Sequence, residues 1–378
     1  MLRSGLLRRR REDFHWWLKG QRRRFLGEGQ EQEALAAYAG LVHQAFHSEP
    51  FAPRVCHDLW EGGRFRSSCD LPAFHTPARR EREKSSHHYG HDILLKRHAG
   101  LELVGTPLPL LLEHGLKVSR ESGFESPRPW SKAFLCMGPL RAQWVQERFG
   151  QPALAIGPWI AYARSLLAPQ RQEALRGQLG PTLLVVLAHS WDAVERRMDF
   201  SACLDAVRGI QAAGGYRSVI WLRHWKDPEC PALPDDWIVA CNGHRSNPWF
   251  LDALRTLMEL CQGLATNAFG THLGYGVALD LDLHWIDVAP EQDLSALRPG
   301  QADVEAVEWG QRLALSGQLA ALLSRQVGSA PAAPAGDTAA ALRSLLQPYW
   351  GFDRVRDPEE MRSILRGDVP ASCDSAPR

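Results

Sequence analysis

Residues 262–286, QGLATNAFGTHLGYGVALDLDLHWI, decide the fold of this chain. The pattern predicts a short buried strand over 263–266, a polar turn, a small-residue helix over 273–279 and a second apolar strand over 283–286. This order is a β-α-β unit, in which the two strands run parallel. The turn favours an anion, because free N–H groups and the helix dipole both point outward at the start of the helix. The alternative interpretation is an ordinary helix N-cap at Thr271.

The composition is that of a globular protein with a proper core. The chain has 378 residues, of which 44% are hydrophobic and 23% charged, and this length accommodates two domains. A formal net charge of +1 excludes a global preference for nucleic acid. No apolar run reaches the length of a membrane span, and Arg and Lys interrupt every candidate signal sequence. The 8 cysteines lack CxxC spacing, so we expect reduced thiols in a cytoplasmic protein.

The first 25 residues are strongly basic and carry aromatic side chains. Acidic partners within this segment are limited to Glu12 and Asp13. A segment of this type can lie on an anionic membrane surface, and a merely solvated basic terminus is the alternative. Nucleic acid is not expected as a partner, because no basic patch follows later in the chain. The basic residues are Arg3, Arg8, Arg9, Arg10, Arg11, Lys19, Arg22, Arg23 and Arg24.

Strands and helices are predicted to alternate in two successive parts of the chain. This alternation is typical of parallel sheets, so the predicted fold class is α/β, with two Rossmann-like domains facing a cleft and with C-terminal helices. The predicted domains are 1–164 with the basic segment, a linker at 165–180, 181–327, and 328–378 with an Ala/Pro-rich linker, closing helices and a disordered tail. The predicted strands are 92–96, 107–112, 131–137 and 153–156 in the first part, and 183–187, 218–222, 237–241, 263–266 and 283–286 in the second.

Polar turns with a histidine follow most strands of the second part. The carboxyl ends of parallel strands meet at one edge of a sheet, so these turns are expected to form a single cleft that suits a diphosphate or phosphate diester. The candidate residues for binding such a ligand are His189, Ser190, His224, Lys226, Asn242, Thr266, Asn267, Gly270, Thr271 and His272.

Glu113-His114-Gly115 follows a predicted strand of the first part. An imidazole at this rim, with a pKa near neutrality, suits removal of a proton from an acceptor hydroxyl. The alternative is that His114 only ends the strand and Gly115 only makes the turn. His87, His88 and His91 form an HHxxH cluster, which we interpret as a surface loop rather than a metal site, because no carboxylate or cysteine accompanies it at metal-ligand spacing.

Three motifs resemble those of bacterial surface-polysaccharide transferases of the GT-B type. LVVLAHS at 184–190 is similar to the start of their C-terminal domain, and TNAFGTHLGY at 266–275 resembles the turn that grips the donor phosphate in sialyltransferase, Kdo-transferase and polyol-phosphate transferase families. EHG at 113–115 is similar to the His-Gly of the polyol-phosphate transferases, where the histidine is the proposed base. The chain departs from sialyltransferases in having His224-Trp225 instead of His-Pro, and it lacks an Asp-Asp-Gly motif.

The resemblance implies an inverting, metal-independent glycosyltransferase that moves a sugar from a nucleotide-sugar donor to a capsular or other cell-surface polysaccharide or a glycolipid. It implies His114 as catalytic base, Glu113 as second choice, and neither cofactor nor metal. We expect a cytoplasmic location and leave contact with the inner membrane open. Two alternatives remain: a CDP-linked polyol-phosphate transferase, and a non-catalytic GT-B-like protein that binds a glycan or nucleotide. A generic dinucleotide-binding protein is disfavoured because no GxGxxG follows a strand.

Overall fold

The fold is known from a computed structural model. It describes residues 14–18, 21, 29–55, 60, 61, 64, 65, 80–83, 85–123, 125–191, 194–225, 233–328 and 335–369. Most of the basic amino-terminal segment, the predicted site residue Lys226 and the predicted disordered tail from 370 onward lie outside these ranges.

The first half contains a three-stranded parallel sheet in the order β3-β4-β5. Its strands are flanked by helices, and a small antiparallel pair, β1 and β2, precedes it. The elements are α1 (Gly29–Phe46), β1 (Trp60–Glu61), β2 (Arg64–Phe65), a 3-10 segment (Ser85–Gly90), α2 (His91–His98), β3 (Leu110–Leu112), β4 (Ala133–Cys136), α3 (Pro139–Phe149), β5 (Ala153–Ala155) and a second 3-10 turn (Trp159–Tyr162).

The second half contains a five-stranded parallel sheet in the order β11-β10-β6-β8-β9. A separate antiparallel pair joins β7 to β12. The elements are α4 (Pro169–Leu179), β6 (Thr182–Val185), β7 (Glu195–Arg197), α5 (Phe200–Gly214), β8 (Ser218–Arg223), β9 (Ile238–Cys241), α6 (Phe250–Leu260), β10 (Gly263–Thr266), α7 (Thr271–Ala278), β11 (Asp282–Trp285), β12 (Glu291–Asp293), α8 (Pro299–Gly328), α9 (Ala335–Trp350) and α10 (Pro358–Arg366).

The predicted β-α-β unit is confirmed. Strand β10 is buried along its whole length because it lies inside the sheet, and it pairs in parallel with β11. Helix α7 begins earlier than predicted, at Thr271, and the residue that precedes it is Gly270 in extended conformation. The alternative of Thr271 as N-cap is therefore wrong, and no side chain caps this helix.

The predicted strand at 92–96 is wrong, because these residues belong to helix α2. The side chains from Asp92 to Lys96 are all buried, so the segment shows no amphipathic alternation that would reveal a helix. Two ion pairs keep its charges inside: Arg80 Nε donates to Asp92 at 2.6 Å, and Lys96 donates to Glu81 at 2.6 Å. The helical spacing of four residues places Asp92 and Lys96 on one face, where both partners reach them.

The two sheets share a hydrophobic core, and the chain returns to the first half at its end. One cluster of buried side chains includes Leu110 and Leu135 from the first sheet and Leu184 and Ile220 from the second. Helix α9 packs against α3, and α10 packs against α2. The structure is therefore an α/β fold with parallel sheets, and the predicted domain borders stay a prediction. Within the described ranges, no helix combines the length and the apolar character needed to cross a bilayer.

Trp350 anchors this return of the chain. Its indole is fully buried, and its Nε1 donates to the backbone oxygen of Thr271 at 3.2 Å. Gly274 lies directly under the ring, since a Cβ there would come within 2.2 Å of the indole nitrogen. A glycine at 274 is thus required by the close approach of α7 to Trp350. The predicted linker at 328–336 is partly helical, because α8 extends to Gly328 and α9 begins at Ala335.

Candidate functional site

A cavity of about 710 Å³ lies at the carboxyl ends of the five strands of the second sheet and of β3 in the first sheet. Its size is that of a site for a small molecule, typically about 300–1,000 Å³. The turns after β3, β6, β8, β9, β10 and β11 all contribute to its wall, so the predicted convergence of the strand ends is present. The predicted site residues that line the cavity are Glu113, His114, His189, His224, Asn242, Asn267, Gly270, Thr271 and His272. Ser190 and Thr266 do not line it.

Thr266 supports the turn that leads into helix α7. Its hydroxyl accepts a hydrogen bond from the backbone N–H of Ala268 at 3.1 Å and lies 2.8 Å from Nε2 of His272. The pKa of His272 is lowered to about 3, mainly because burial disfavours the charged ring and further by electrostatic repulsion from the nearby His189 and Arg312. The imidazole is therefore neutral at pH 7. At the uncapped start of helix α7, the positive end of the helix dipole therefore acts beside an uncharged imidazole.

Asn267 joins two of the turns. Its Oδ1 accepts from the backbone N–H of Ala188 at 2.8 Å, and its Nδ2 donates to the carbonyl of Val288 at 3.0 Å. Ser190 acts similarly, because its hydroxyl accepts from the backbone N–H of Arg196 at 2.9 Å. Both side chains thus fix the backbone of the cavity wall, and their predicted contact with a donor stays a prediction.

Arg196 is a cation of this wall that the sequence analysis missed. Its guanidinium lies over the ring of Trp309 at 4.8 Å and donates to Gln292 and to the carbonyl of His189. Burial, followed by repulsion from Arg312, lowers the pKa of Arg196 to about 10, so the group keeps its charge at neutral pH. Arg196 lies within strand β7 and not in a turn that follows a strand of the five-stranded sheet. In the sequence, only its closeness to His189-Ser190 points to the site.

The ion pair between Glu308 and Arg312 connects the two halves across the cavity. Glu308 is 3% exposed and accepts from the backbone N–H groups of Val118 and Ser119 at 3.1 and 2.9 Å, and from the hydroxyl of Ser122. Burial alone would raise the pKa of Glu308, but the charge of Arg312 and these hydrogen bonds outweigh it and lower the pKa.

Arg312 extends the same connection to the second half. Its Nη2 donates to the carbonyl of Leu116, in the loop after β3, and its Nη1 donates to the carbonyl of Phe269, in the turn after β10. Helix α8, which carries both charges, thus fixes the distance between the two turns that the sequence analysis assigned to the acceptor and the donor.

Glu113 forms a buried ion pair. Arg141 Nε donates to its Oε1 at 2.6 Å, and a second nitrogen of Arg141 donates to the carbonyl of Gly123 at 2.8 Å. Use of this carboxylate as a base would require its ion pair with Arg141 to break. The neighbouring His114 is more accessible, and its ring centroid lies 4.8 Å from that of His88.

The HHxxH cluster lies beside His114, so its interpretation as a surface loop is wrong. His87 and His91 are 6% and 2% exposed, and His91 borders the cavity. The ring of His91 stacks on Trp159 at 4.1 Å. Burial lowers the pKa of His91 well below its usual value, and the rings of His114 and His88 lower it further. In the described part of the chain, no three side chains are grouped as metal ligands.

Glu125 is a second carboxyl of the cavity wall on the side of the first sheet. Burial raises its pKa, and the negative charges of Glu83 and Glu113 add to this rise. A carboxyl in a cleft with a raised pKa is a candidate acid or base. Glu125 carries no recognisable signal in the sequence because it lies in an irregular segment between two strands.

His189 and His224 come together from neighbouring strands. Their rings are stacked with centroids 3.9 Å apart, and Trp225 lies 5.4 Å from His224 and 4.3 Å from His244. Three of the histidines that follow separate strands of the second sheet are thus linked through aromatic contacts at one side of the cavity.

Comparison with known proteins adds no relative: no protein-family model matches the chain, and a search of curated proteins gave no significant match.

Proposed function

We propose that the protein is a glycosyltransferase of the GT-B type, with two Rossmann-like domains that face the cavity. The observation that carries the proposal is that the carboxyl end of β3 in the first sheet and the carboxyl ends of all five strands of the second sheet open on the same cavity of about 710 Å³. Ligands of open parallel sheets bind at these ends. The return of α9 and α10 to the first half gives the C-terminal helices that this architecture expects.

The nucleotide-sugar donor binds on the second sheet in this proposal. The backbone N–H groups at Gly270-Thr271 and the guanidinium of Arg196 stabilise the negative charge that develops on the leaving phosphate. His189, next to Arg196, adds a hydrogen-bond donor. No metal is required, because fixed cations and the helix start supply the positive potential.

The acceptor, a cell-surface polysaccharide or glycolipid, binds on the first sheet. Its hydroxyl oxygen attacks the anomeric carbon, the bond from that carbon to the phosphate oxygen breaks, and the hydroxyl proton passes to His114. Attack opposite the leaving group inverts the anomeric centre. Among the two predicted bases His114 is favoured, because Glu113 is paired with Arg141. A cytoplasmic location follows from the need for nucleotide-sugars.

A thermal-shift screen tests the proposal with CMP, CDP, UDP, GDP and their sugar conjugates. One nucleotide class is expected to stabilise the protein, by about 2.7 kcal/mol at a concentration of 100 times the dissociation constant. The response to that class should exceed the response to inorganic pyrophosphate, which controls for a non-specific anion. Absence of any response would favour the non-catalytic glycan-binding alternative. Mass spectrometry of the product then separates sugar transfer from transfer of a CDP-linked polyol phosphate.

We further propose that the amino-terminal segment contacts an anionic membrane surface, which would bring the enzyme to a lipid-linked acceptor. The side chains of Phe14, Trp17 and Leu18 are 60%, 56% and 51% exposed, whereas Trp16 between them is 7% exposed. The rings of Phe14 and Trp17 are stacked at 5.6 Å. Apolar side chains of this kind insert at a bilayer surface, and the neighbouring arginines add roughly 1 kcal/mol each on anionic lipid.

Vesicle sedimentation checks this contact. The protein is expected to sediment with phosphatidylglycerol vesicles and to be released by high salt, but not to sediment with phosphatidylcholine alone. The triple variant F14A/W17A/L18A should lose most of the bound fraction. V355A, which alters another exposed hydrophobic side chain, serves as control. Equal sedimentation of the triple variant and the wild type would refute the contact.

A further inference from the structure

Asn242 carries a buried amide group without a hydrogen-bond partner in the described part of the chain. The residue is 3% exposed, and both Nδ2 and Oδ1 are unpaired. It borders the cavity. Buried amide groups in native proteins are nearly always hydrogen-bonded, and an exception at a cavity points to a ligand that supplies the missing partner.

The backbone at this position is held in place. The side chain of Asn247, which is itself fully buried, donates to the carbonyl of Asn242 at 2.9 Å and accepts from the N–H of Trp249 at 3.0 Å. Asn247 thus shows the ordinary, satisfied state of a buried asparagine a few residues away. Of these two buried asparagines, the one that borders the cavity is the one whose amide lacks a partner among the described residues.

Asn242 lies at a distance from the start of helix α7 that a bound nucleotide can span. Asn242 follows β9, whose last residue Cys241 is paired with Arg223 of β8, so it lies next to the turn with His224 and Trp225. Strands β8 and β6 separate β9 from β10. Three strand intervals of about 4.8 Å put Asn242 roughly 14 Å from the uncapped start of α7 along the sheet edge. A nucleoside diphosphate whose phosphates bind at that helix start extends over this distance to place its base here.

We propose that Asn242 binds the hydrogen-bonding edge of the donor's nucleobase and that the ring of Trp225 stacks on the base. This inference rests on the proposed function and names the residue that selects the nucleotide. A carboxamide offers a donor and an acceptor side by side, as the edge of a base does. Stacking on an aromatic ring contributes affinity without regard to the base, so the selection falls to the amide.

Titration calorimetry with CDP, UDP, GDP and ADP tests the inference on the full chain. The substitution Asn242→Leu keeps the number and branching of the side-chain heavy atoms and removes both polar atoms. We expect it to weaken binding of the preferred nucleotide at least tenfold and to reduce the differences in affinity among the four nucleotides. Inorganic pyrophosphate should bind with the same affinity as to the wild type.

The stability of the unliganded variants separates a binding role from a structural one. N242L should melt at the wild-type temperature or higher, because an unsatisfied amide is replaced by an apolar group. N247L, the matched control, should melt lower because its amide is paired. Asn242→Asp, which removes the donor, provides a second variant and should also lose base selectivity.

The outcomes distinguish this inference from the proposed function. If wild type binds a nucleotide and N242L binds it equally well, the assignment of Asn242 is wrong and the transferase proposal stands. A lower melting temperature of N242L with unchanged base selectivity would likewise assign a structural role and overturn the inference. If wild type binds no nucleotide at all, both fail.

Discussion

The substitution His114→Ala is expected to lower the turnover number of sugar transfer by about 10²–10⁴-fold, which is the usual contribution of a positioned general base. The side chain follows β3 at the rim of the cavity, opposite the turns of the second sheet that are proposed to hold the donor. Its neighbour Glu113 cannot replace it without breaking the buried pair with Arg141. The dissociation constant of the donor should stay within a factor of about two of the wild-type value. A rise in this constant as large as the fall in turnover would indicate lost binding rather than lost catalysis.

Steady-state kinetics with the nucleotide-sugar identified by thermal shift measure this effect, and calorimetry measures the donor affinity. His47→Ala provides the control, because His47 is exposed just after helix α1, does not line the cavity, and contacts His43 of that helix. Unchanged turnover in H114A, or a loss of donor binding that accounts for the whole defect, would contradict the role of His114 as base.

The fold of the second half was predictable from the sequence because its strands are short apolar runs separated by polar turns. Helix α3 was predictable for a related reason: Pro139 lies at its first turn, and Gly150 ends it in the left-handed conformation with φ 62°. Helix α2 was not predictable. Besides apolar side chains, this helix buries the charged residues Asp92 and Lys96. Their partners, Arg80 and Glu81, precede the helix in a segment without regular pattern.

The site was predictable where it depends on strand ends and not where it depends on distant elements. Asn242 and His189 follow strands, and their place on the cavity could be inferred from the topology of a parallel sheet. Glu308 and Arg312 come from α8, beyond the last strand of that sheet, and the periodicity of a long helix does not tell which side chains reach a cavity. His91 was misjudged because burial against Trp159 is a tertiary contact.

The substitution Glu308→Gln is expected to destabilise the folded protein by about 3–5 kcal/mol, since it leaves the charge of Arg312 without its partner in a largely buried place. Because Glu308 holds the loop after β3 and Arg312 holds the turn after β10, the variant should also bind donor more weakly. Urea denaturation at pH 7 measures the free energy of unfolding. Asp303→Asn, exposed on the same helix, is the control and should change it by less than about 0.5 kcal/mol. A loss below about 1 kcal/mol in E308Q would show that this ion pair does not hold the halves together.

The pH dependence of the same variant gives an independent check. The pKa of Glu308 is lower in the folded state than the unfolded value of about 4.3, so the folded state binds fewer protons on this group. Its contribution to stability is therefore fully present above the unfolded pKa and is lost as the pH falls through the folded pKa. The difference in the free energy of unfolding between wild type and E308Q should be constant from pH 7 to pH 5 and shrink in more acidic solution. A difference that stayed constant down to pH 3 would contradict a role of the charge. Because glutamine and glutamate have nearly the same size, it would assign the loss to the hydrogen bonds from Val118, Ser119 and Ser122 that an amide NH₂ group cannot accept.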